Sequence, residues 1–275
     1  MINEKRNRQG FYKNFVCPDC KTKLKQKRNS LLCDTCRKEY LLINGIPVFI
    51  EKEIQQFRDE VTKRREHIYD KPLCVNEYYS KYVGNWNTML DLGCGDAVSS
   101  AAVSDKVKEI YCVDPSRIAL GRIFRRKLDN LYPILATGHK LPFPSNFFDG
   151  VFSIFVIEHI KNPKKMLNEI HRVLKPDAQL VISTASKYYY KYFRFPLEWV
   201  KGNFNVRKND PTHVSLMTPK EMRHLLKETN FRIEIDDMHF FIRESRRKKI
   251  PQSFSDTFLS TSIIYKCRLK PHPMS

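Results

Sequence analysis

Two acids and two glycines carry the first chemical signal in this chain. Met89-Leu90-Asp91-Leu92-Gly93-Cys94-Gly95-Asp96 runs an apolar segment into an acid and a glycine turn. The pattern reads as a buried parallel strand whose turn, lacking β-carbons, lets backbone amides approach a ligand at the start of the next helix. A second apolar run, Glu109-Ile110-Tyr111-Cys112-Val113, ends in Asp114, 23 residues beyond Asp91. A carboxylate there is placed to accept both hydroxyls of a ribose lying across the strand ends. Val98 stands where a dinucleotide fingerprint needs its third glycine, and no Gly-Lys-Ser or Gly-Lys-Thr follows to hold phosphates and magnesium. The expected ligand is a nucleoside without a polyphosphate.

Four thiols give the second signal. Cys17-Pro18-Asp19-Cys20 and Cys33-Asp34-Thr35-Cys36 are two Cys-x-x-Cys knuckles separated by 12 residues. Each knuckle brings two thiolates onto one face of a tight turn, and the pair supplies the four soft ligands of a closed tetrahedral zinc site. Disulfides fit less well, because the chain shows no apolar secretory segment and Cys74, Cys94, Cys112 and Cys267 lie in unpatterned places. A redox site uses one such knuckle, so duplication favours metal. Four cysteines leave no open position for water, which makes the expected zinc structural. Residues 40–50 read as two short strands around Asn44-Gly45, and a unit this small has too little core to fold without its metal.

Two imidazoles complete the reactive groups. His159 follows the fourth expected strand, and His213 lies in Asp210-Pro211-Thr212-His213, just before a helix expected to begin near Thr218. Either can remove a proton from an acceptor, since imidazole titrates near neutrality, and His213 is the better base candidate.

The residues from Asp91 to Asp114 resemble class I S-adenosylmethionine-dependent methyltransferases, whose first motif is an acid, an apolar residue and Gly-x-Gly, with an acid ending the second strand. Residues 141–149, 151–160 and 169–176, followed by a strand over 179–183, are similar to the core of the methyltransferase type 11 family. The resemblance covers roughly residues 80 to 240. It implies an α/β fold with a doubly wound, mostly parallel seven-stranded sheet and S-adenosylmethionine as cofactor. It further implies cofactor contacts at Asp91, Gly93, Cys94, Gly95, Asp114, Pro115, Thr137, Gly138, Ser153 and Phe155. Thr137 stands where the family usually has an acid for the adenine amino group, Pro176-Asp177-Ala178 replaces a Pro-Gly-Gly turn, and Asn230-Phe231 replaces Gly-Phe. Asn tolerates the left-handed conformation past a helix end, whereas Ala178 is less easily accommodated. The family's recurrent Glu-His gives His159 a structural or cofactor-side role. Ser153-Ile154-Phe155-Val156 replaces the Asn/Asp-Pro-Pro-Tyr loop of many enzymes that methylate the amines of bases. The N-terminal cysteines and strands resemble the small zinc-ribbon family best known as the activator subunit of several RNA and protein methyltransferases.

These residues divide the chain into a zinc ribbon with a basic arm (1–50), a linker helix region (51–82) and a methyltransferase domain (83–270) with a substrate-side insertion at 187–217. Ile54, Phe57, Val61 and Ile68 recur at helical spacing in the linker and are expected to pack it down. The insertion interleaves Tyr188, Tyr189, Tyr190, Tyr192, Phe193, Phe195, Trp199 and Phe204 with lysines and arginines. Such a segment can stack bases, enclose a small acceptor or cover itself. The net charge is +19, of which residues 1–28 and 243–270 hold +13. Basic ends fit RNA, anionic lipid or a phosphorylated substrate alike. No apolar run reaches the roughly 18 residues of a membrane span. The expectation is a cytoplasmic methyltransferase of small molecules or biosynthetic intermediates, with an RNA methyltransferase and a non-catalytic methyltransferase-like module as rivals.

Overall fold

The computed structural model describes residues 8–64, 79–194, 213–240 and 260–270. Cys74, Ile68, residues 195–212 of the insertion and most of the basic C-terminal stretch lie outside the described residues.

A short helix α1 (Arg8–Tyr12) leads into four strands, β1 (Lys25–Gln26), β2 (Ser30–Leu32), β3 (Glu39–Ile43) and β4 (Ile46–Pro47), paired antiparallel in sequence order. Between β3 and β4, Asn44 and Gly45 both take positive φ, 52° and 73°. That is the mirror-image turn whose twist matches a two-residue hairpin, and Asn-Gly is its preferred sequence.

Helix α2 (Lys52–Arg64) follows. The second sheet then takes β5 (Trp86–Leu92), β6 (Val107–Asp114), β7 (Leu131–Leu135), β8 (Phe148–Ile154), β9 (Leu174–Ala185), β10 (Phe231–Phe240) and β11 (Ser260–Leu269), in the order β10-β11-β9-β8-β5-β6-β7. β5 pairs in parallel with β6 and β8, and β6 with β7, while β11 runs antiparallel to both β9 and β10. The sheet is the mostly parallel, seven-stranded α/β architecture expected from the motifs. Helices α3 (Val98–Ala101), α4 (Arg117–Ile123), α5 (Pro163–Val173) and α6 (Pro219–Glu228) connect its strands. No helix among the described residues is long and apolar enough to cross a membrane.

The chain forms two compact units, residues 1–152 with 172–178, and residues 153–171 with 179–275. In the first, Met89, Leu90, Ile110 and Val113 are sealed from solvent, consistent with the continuous apolar strands of a parallel sheet covered on both faces. An aromatic cluster of Phe15, Tyr111, Phe143 and Phe148 joins the N-terminal module to β6 and β8. Trp86 lies so close to Gly150 that a β-carbon on Gly150 would sit 2.4 Å from the indole ring. In the second unit, Thr218 and Glu221 cap α6 reciprocally, and Asn230 takes φ 63° past its end. The capping box satisfies two otherwise orphaned amides.

Two local expectations are corrected. In the Pro176-Asp177-Ala178 turn the left-handed residue is Asp177, with φ 60°, while Ala178 is buried in β9. Asp visits that region far more readily than a bulky residue, so the turn tolerates the missing glycine. Helix α2 is turned opposite to the expectation: Ile54 and Phe57 are exposed and Thr62 is buried. Its inward face is polar because it meets the first turn of α4. There Asp59 Oδ1 accepts from Ser116 Oγ at 2.8 Å and from Ile118 N at 3.0 Å, and Thr62 Oγ1 lies 2.9 Å from Ser116 Oγ. Charged and hydroxyl partners at exposed helix amides outweigh the gain from burying two apolar side chains.

Candidate cofactor site and cysteine centre

The carboxyl ends of β5 and β6 bring the glycine turn and Asp114 together. Gly93 and Gly95 take φ 75° and 56°, a region that side chains with a β-carbon enter with strain. Gly93 N and Cys94 N both donate to the Val113 carbonyl, at 2.7 and 3.2 Å, which folds the turn back over β6. Gly95 N donates to Asp114 Oδ2 at 3.0 Å and Ser116 N to Oδ1 at 2.8 Å. Each carboxylate oxygen therefore has one amide and retains a lone pair for a ligand hydroxyl. Pro115 lies between these partners. Burial pushes the Asp114 carboxyl up to about 6, opposed by the two amides and by Arg58, with Asp59 adding to the rise.

Asp91 is buried at the end of β5 and accepts a hydrogen bond from Ser100 Oγ at the floor of the turn. Burial pushes its carboxyl up to about 7 against that hydrogen bond. Its partner sits on α3, so Asp91 ties strand to helix beneath the glycines. Arg126 holds the turn from the other side, donating to the Asp96 carbonyl at 3.1 Å and to Asp96 Oδ2 at 2.7 Å.

Thr137 and Gly138 follow β7 in a loop that continues through Leu141-Pro142-Phe143. The N-terminal module is built onto this loop. Val48 bridges in parallel to Leu135, and Phe49 N donates to the Leu135 carbonyl at 2.8 Å. Val16 N donates to the Pro142 carbonyl at 3.0 Å, and Lys21 Nζ approaches the Leu141 carbonyl at 3.4 Å. Asp19, placed between the first two cysteines, meets Lys140 and Lys38 at 2.6 Å each. Those two ammonium groups hold its carboxyl at about 2. Phe11 stacks on Tyr132 with centroids 4.8 Å apart, and Asn14 Nδ2 donates to the Tyr111 hydroxyl at 2.8 Å.

The four expected metal ligands converge. The sulfurs of Cys17, Cys20, Cys33 and Cys36 all lie within 4.8 Å of one another, with Cys20 to Cys33 at 3.4 Å and Cys17 to Cys36 at 4.0 Å. Tetrahedral zinc with bonds of ~2.3 Å needs sulfurs about 3.8 Å apart, so the donor set and spacing fit. Cys36 N donates to Cys33 Sγ at 3.3 Å, and Thr22 beside Cys20 lowers that thiol to about 6.

In the second unit, Ser153 is buried and Phe155 lies at the end of β8 with φ 56° and 37% exposure. A bulky residue held in the left-handed region is strained, and such strain clusters at ligand sites. Phe155 N donates to the Ser183 carbonyl at 3.2 Å, which fixes the bend. His159 and His213, 54 positions apart in sequence, are brought together with ring centroids 4.7 Å apart, and Tyr190 meets His213 edge-on at 5.0 Å.

Sequence reasoning missed Asp59 and Ser116. Ser116, two residues after Asp114 and directly ahead of a helical run, was a readable N-cap signal. Nothing local marked Asp59.

Residues 90–182 match the family described as "Methyltransferase domain". An uncharacterized methyltransferase of Schizosaccharomyces pombe is 31% identical over 122 residues, covering 40% of this chain and 44% of its own length. A ubiquinone/menaquinone biosynthesis C-methyltransferase of Coxiella burnetii is 36% identical over 157 residues, 47% of this chain and 62% of its own. The chain thus spans less than two thirds of these curated relatives. Among solved structures, a chain from the complex between the Haloferax volcanii Trm112 methyltransferase activator and the putative methyltransferase superposes with a TM-score of 0.61 at 16% identity, covering 81% of this chain and all of that one. The fold is that of the class I methyltransferases.

Proposed function

We propose that the chain is an S-adenosylmethionine-dependent methyltransferase whose zinc ribbon, over residues 1–50, acts as a built-in support for the cofactor loop, and whose acceptor is a small molecule or biosynthetic intermediate. The observation that carries the cofactor assignment is Asp114, anchored by Gly95 N and Ser116 N with lone pairs left for ribose hydroxyls. S-adenosylmethionine supplies a methyl group already activated on a sulfonium, so this chain's own residues have to bind, orient and manage one proton. Asp114 holds the ribose, Gly93 and Gly95 clear space for the cofactor, and Thr137 and Gly138 face the base. Ser153 and Phe155 are further cofactor contacts that the methyltransferase reading implies. His159 and His213 promote the acceptor's loss of its proton.

The matched domain supports the methyltransferase reading, and the Coxiella relative, named for quinone biosynthesis, supports a small-molecule acceptor. The contacts of the ribbon favour the support role: its strands and aromatics are spent on β7 and the 136–143 loop. The test is tritiated-methyl transfer with fractionated RNA and small-metabolite extracts, alongside calorimetry of cofactor binding. Label should follow the metabolite fraction. Label in RNA, with acceptor affinity falling roughly tenfold or more between about 50 and 200 mM salt as phosphate contacts would require, would replace this acceptor with RNA. Absence of cofactor binding would leave a non-catalytic module.

A further inference from the structure

A second group of metal-binding atoms stands apart from the cysteines. A carboxylate oxygen of Glu158 and one ring nitrogen each of His159 and His213 all lie within 4.8 Å of one another. The backbone holds this arrangement: Val214 N and Ser215 N both donate to the Glu158 carbonyl at 2.9 Å, and Ser215 Oγ donates to the Ile160 carbonyl at 2.7 Å. His213 is thereby clamped against Glu158 and His159 by its own neighbours. The Glu158 side chain is buried, its two oxygens oriented by Thr184 Oγ1 and Ala185 N at 3.3 Å each.

We propose that Glu158, His159 and His213 form a binding site for a divalent first-row transition-metal ion. Two imidazoles and a carboxylate are the donor set of sites that keep coordination positions open, in contrast to four thiolates, which close the shell. Bonds of ~2.0–2.2 Å place such ligand atoms roughly 3 to 3.5 Å apart, a contraction that rotamer adjustment supplies. Glu158 and His159 follow the carboxyl end of β8, and Ala185 ends β9, the side on which open α/β sheets bind ligands. The open positions take an oxygen or nitrogen of the acceptor, and the Tyr190 ring lies beside them, 5.0 Å from His213. An acceptor hydroxyl held there gives its proton to water more readily, so the imidazoles act through the ion rather than as bases. This role rests on the methyltransferase reading; the binding of the ion does not.

Cobalt(II) titrated into the full chain, with the cysteine site already filled by zinc, tests the site. One further equivalent should bind and show visible d–d bands without the intense thiolate charge-transfer band that cobalt on cysteine produces. His213→Ala, His159→Ala and Glu158→Gln should each weaken binding at least tenfold. Circular dichroism of each variant checks its fold, and the folded variants decide. No further equivalent, a thiolate band alone, or equal binding by native protein and folded variants overturns the proposal. Cofactor calorimetry on the same sample separates the two readings: cofactor binding without cobalt binding removes only the metal site, and the reverse removes only the methyltransferase assignment.

Discussion

Phe49 N donates a 2.8 Å hydrogen bond to the carbonyl of Leu135, the last residue of β7 and two positions before Thr137. The segment that leaves the N-terminal module is thus fastened to the strand that leads into Thr137 and Gly138. On the proposed function, metal, ribbon and cofactor loop would form one mechanical series.

Loss of the ribbon's metal should therefore reach the cofactor. Cys33→Ser is expected to release the zinc held by Cys17, Cys20, Cys33 and Cys36, and to weaken S-adenosylmethionine binding by several-fold, while far-ultraviolet dichroism shows the α/β sheet retained. Elemental analysis and calorimetry read the two effects. Unchanged cofactor affinity in a zinc-free variant would reduce the ribbon to an independent appendage.

Asp114→Ala should weaken cofactor binding by roughly 1.5 to 3 kcal/mol, the usual loss for a charged acceptor of hydrogen bonds. Gly95→Val should be worse, because its φ of 56° excludes a β-branched residue. Calorimetry of both variants checks this, and native affinity in both would show the site to lie elsewhere.

Acidification should move cofactor affinity and the stability of the free protein in opposite directions. Hydroxyl donors favour the Asp114 carboxylate, so affinity should be full above about 6, the value to which burial raises this group, and decline as pH falls through it. For the free chain the sign reverses. Asp91 and Asp114, raised to about 7 and about 6, bind protons more tightly folded than unfolded, so their contribution strengthens as pH falls from 7 towards 5 and is lost as pH rises. Thermal melts at the two pH values, native against Asp91→Asn, should show a smaller pH effect in the variant.

Gly150→Ala should be severely destabilising, by about 3 kcal/mol, the upper end of ordinary overpacking, since its β-carbon would overlap the Trp86 ring at 2.4 Å. For a domain of this size that is a fall in Tm of roughly 6 to 12 °C. Trp86→Phe in the same chain should recover part of the loss. A melt matching the native protein would show that the indole moves aside at little cost.

What the sequence disclosed was local. Asn44-Gly45, the two cysteine knuckles, Gly93 and Gly95, and Asn230 each announce a backbone conformation through their own side chain or its absence. The mostly parallel, seven-stranded sheet followed from motifs in series. What stayed hidden depends on partners far away in the chain. The polar inward face of α2 exists because Asp59 meets Ser116, 57 positions later, and apolar periodicity alone points the helix the wrong way. The ribbon's attachment runs through Phe11, Phe15 and Tyr111, aromatics whose pairing no spacing rule encodes. At the Pro176 turn, composition drew attention to Ala178, whereas the backbone placed the left-handed residue one position earlier.

β7 terminates the large sheet, and a terminal strand exposes unpaired backbone groups that invite a strand from another molecule. Here the approach is occupied by Val48 and Phe49. On the proposed zinc-ribbon reading the metal would then guard against polymerisation as well as shape a loop: a chain stripped of it would present a bare apolar margin to its neighbours, and chelation would be expected to bring turbidity before unfolding.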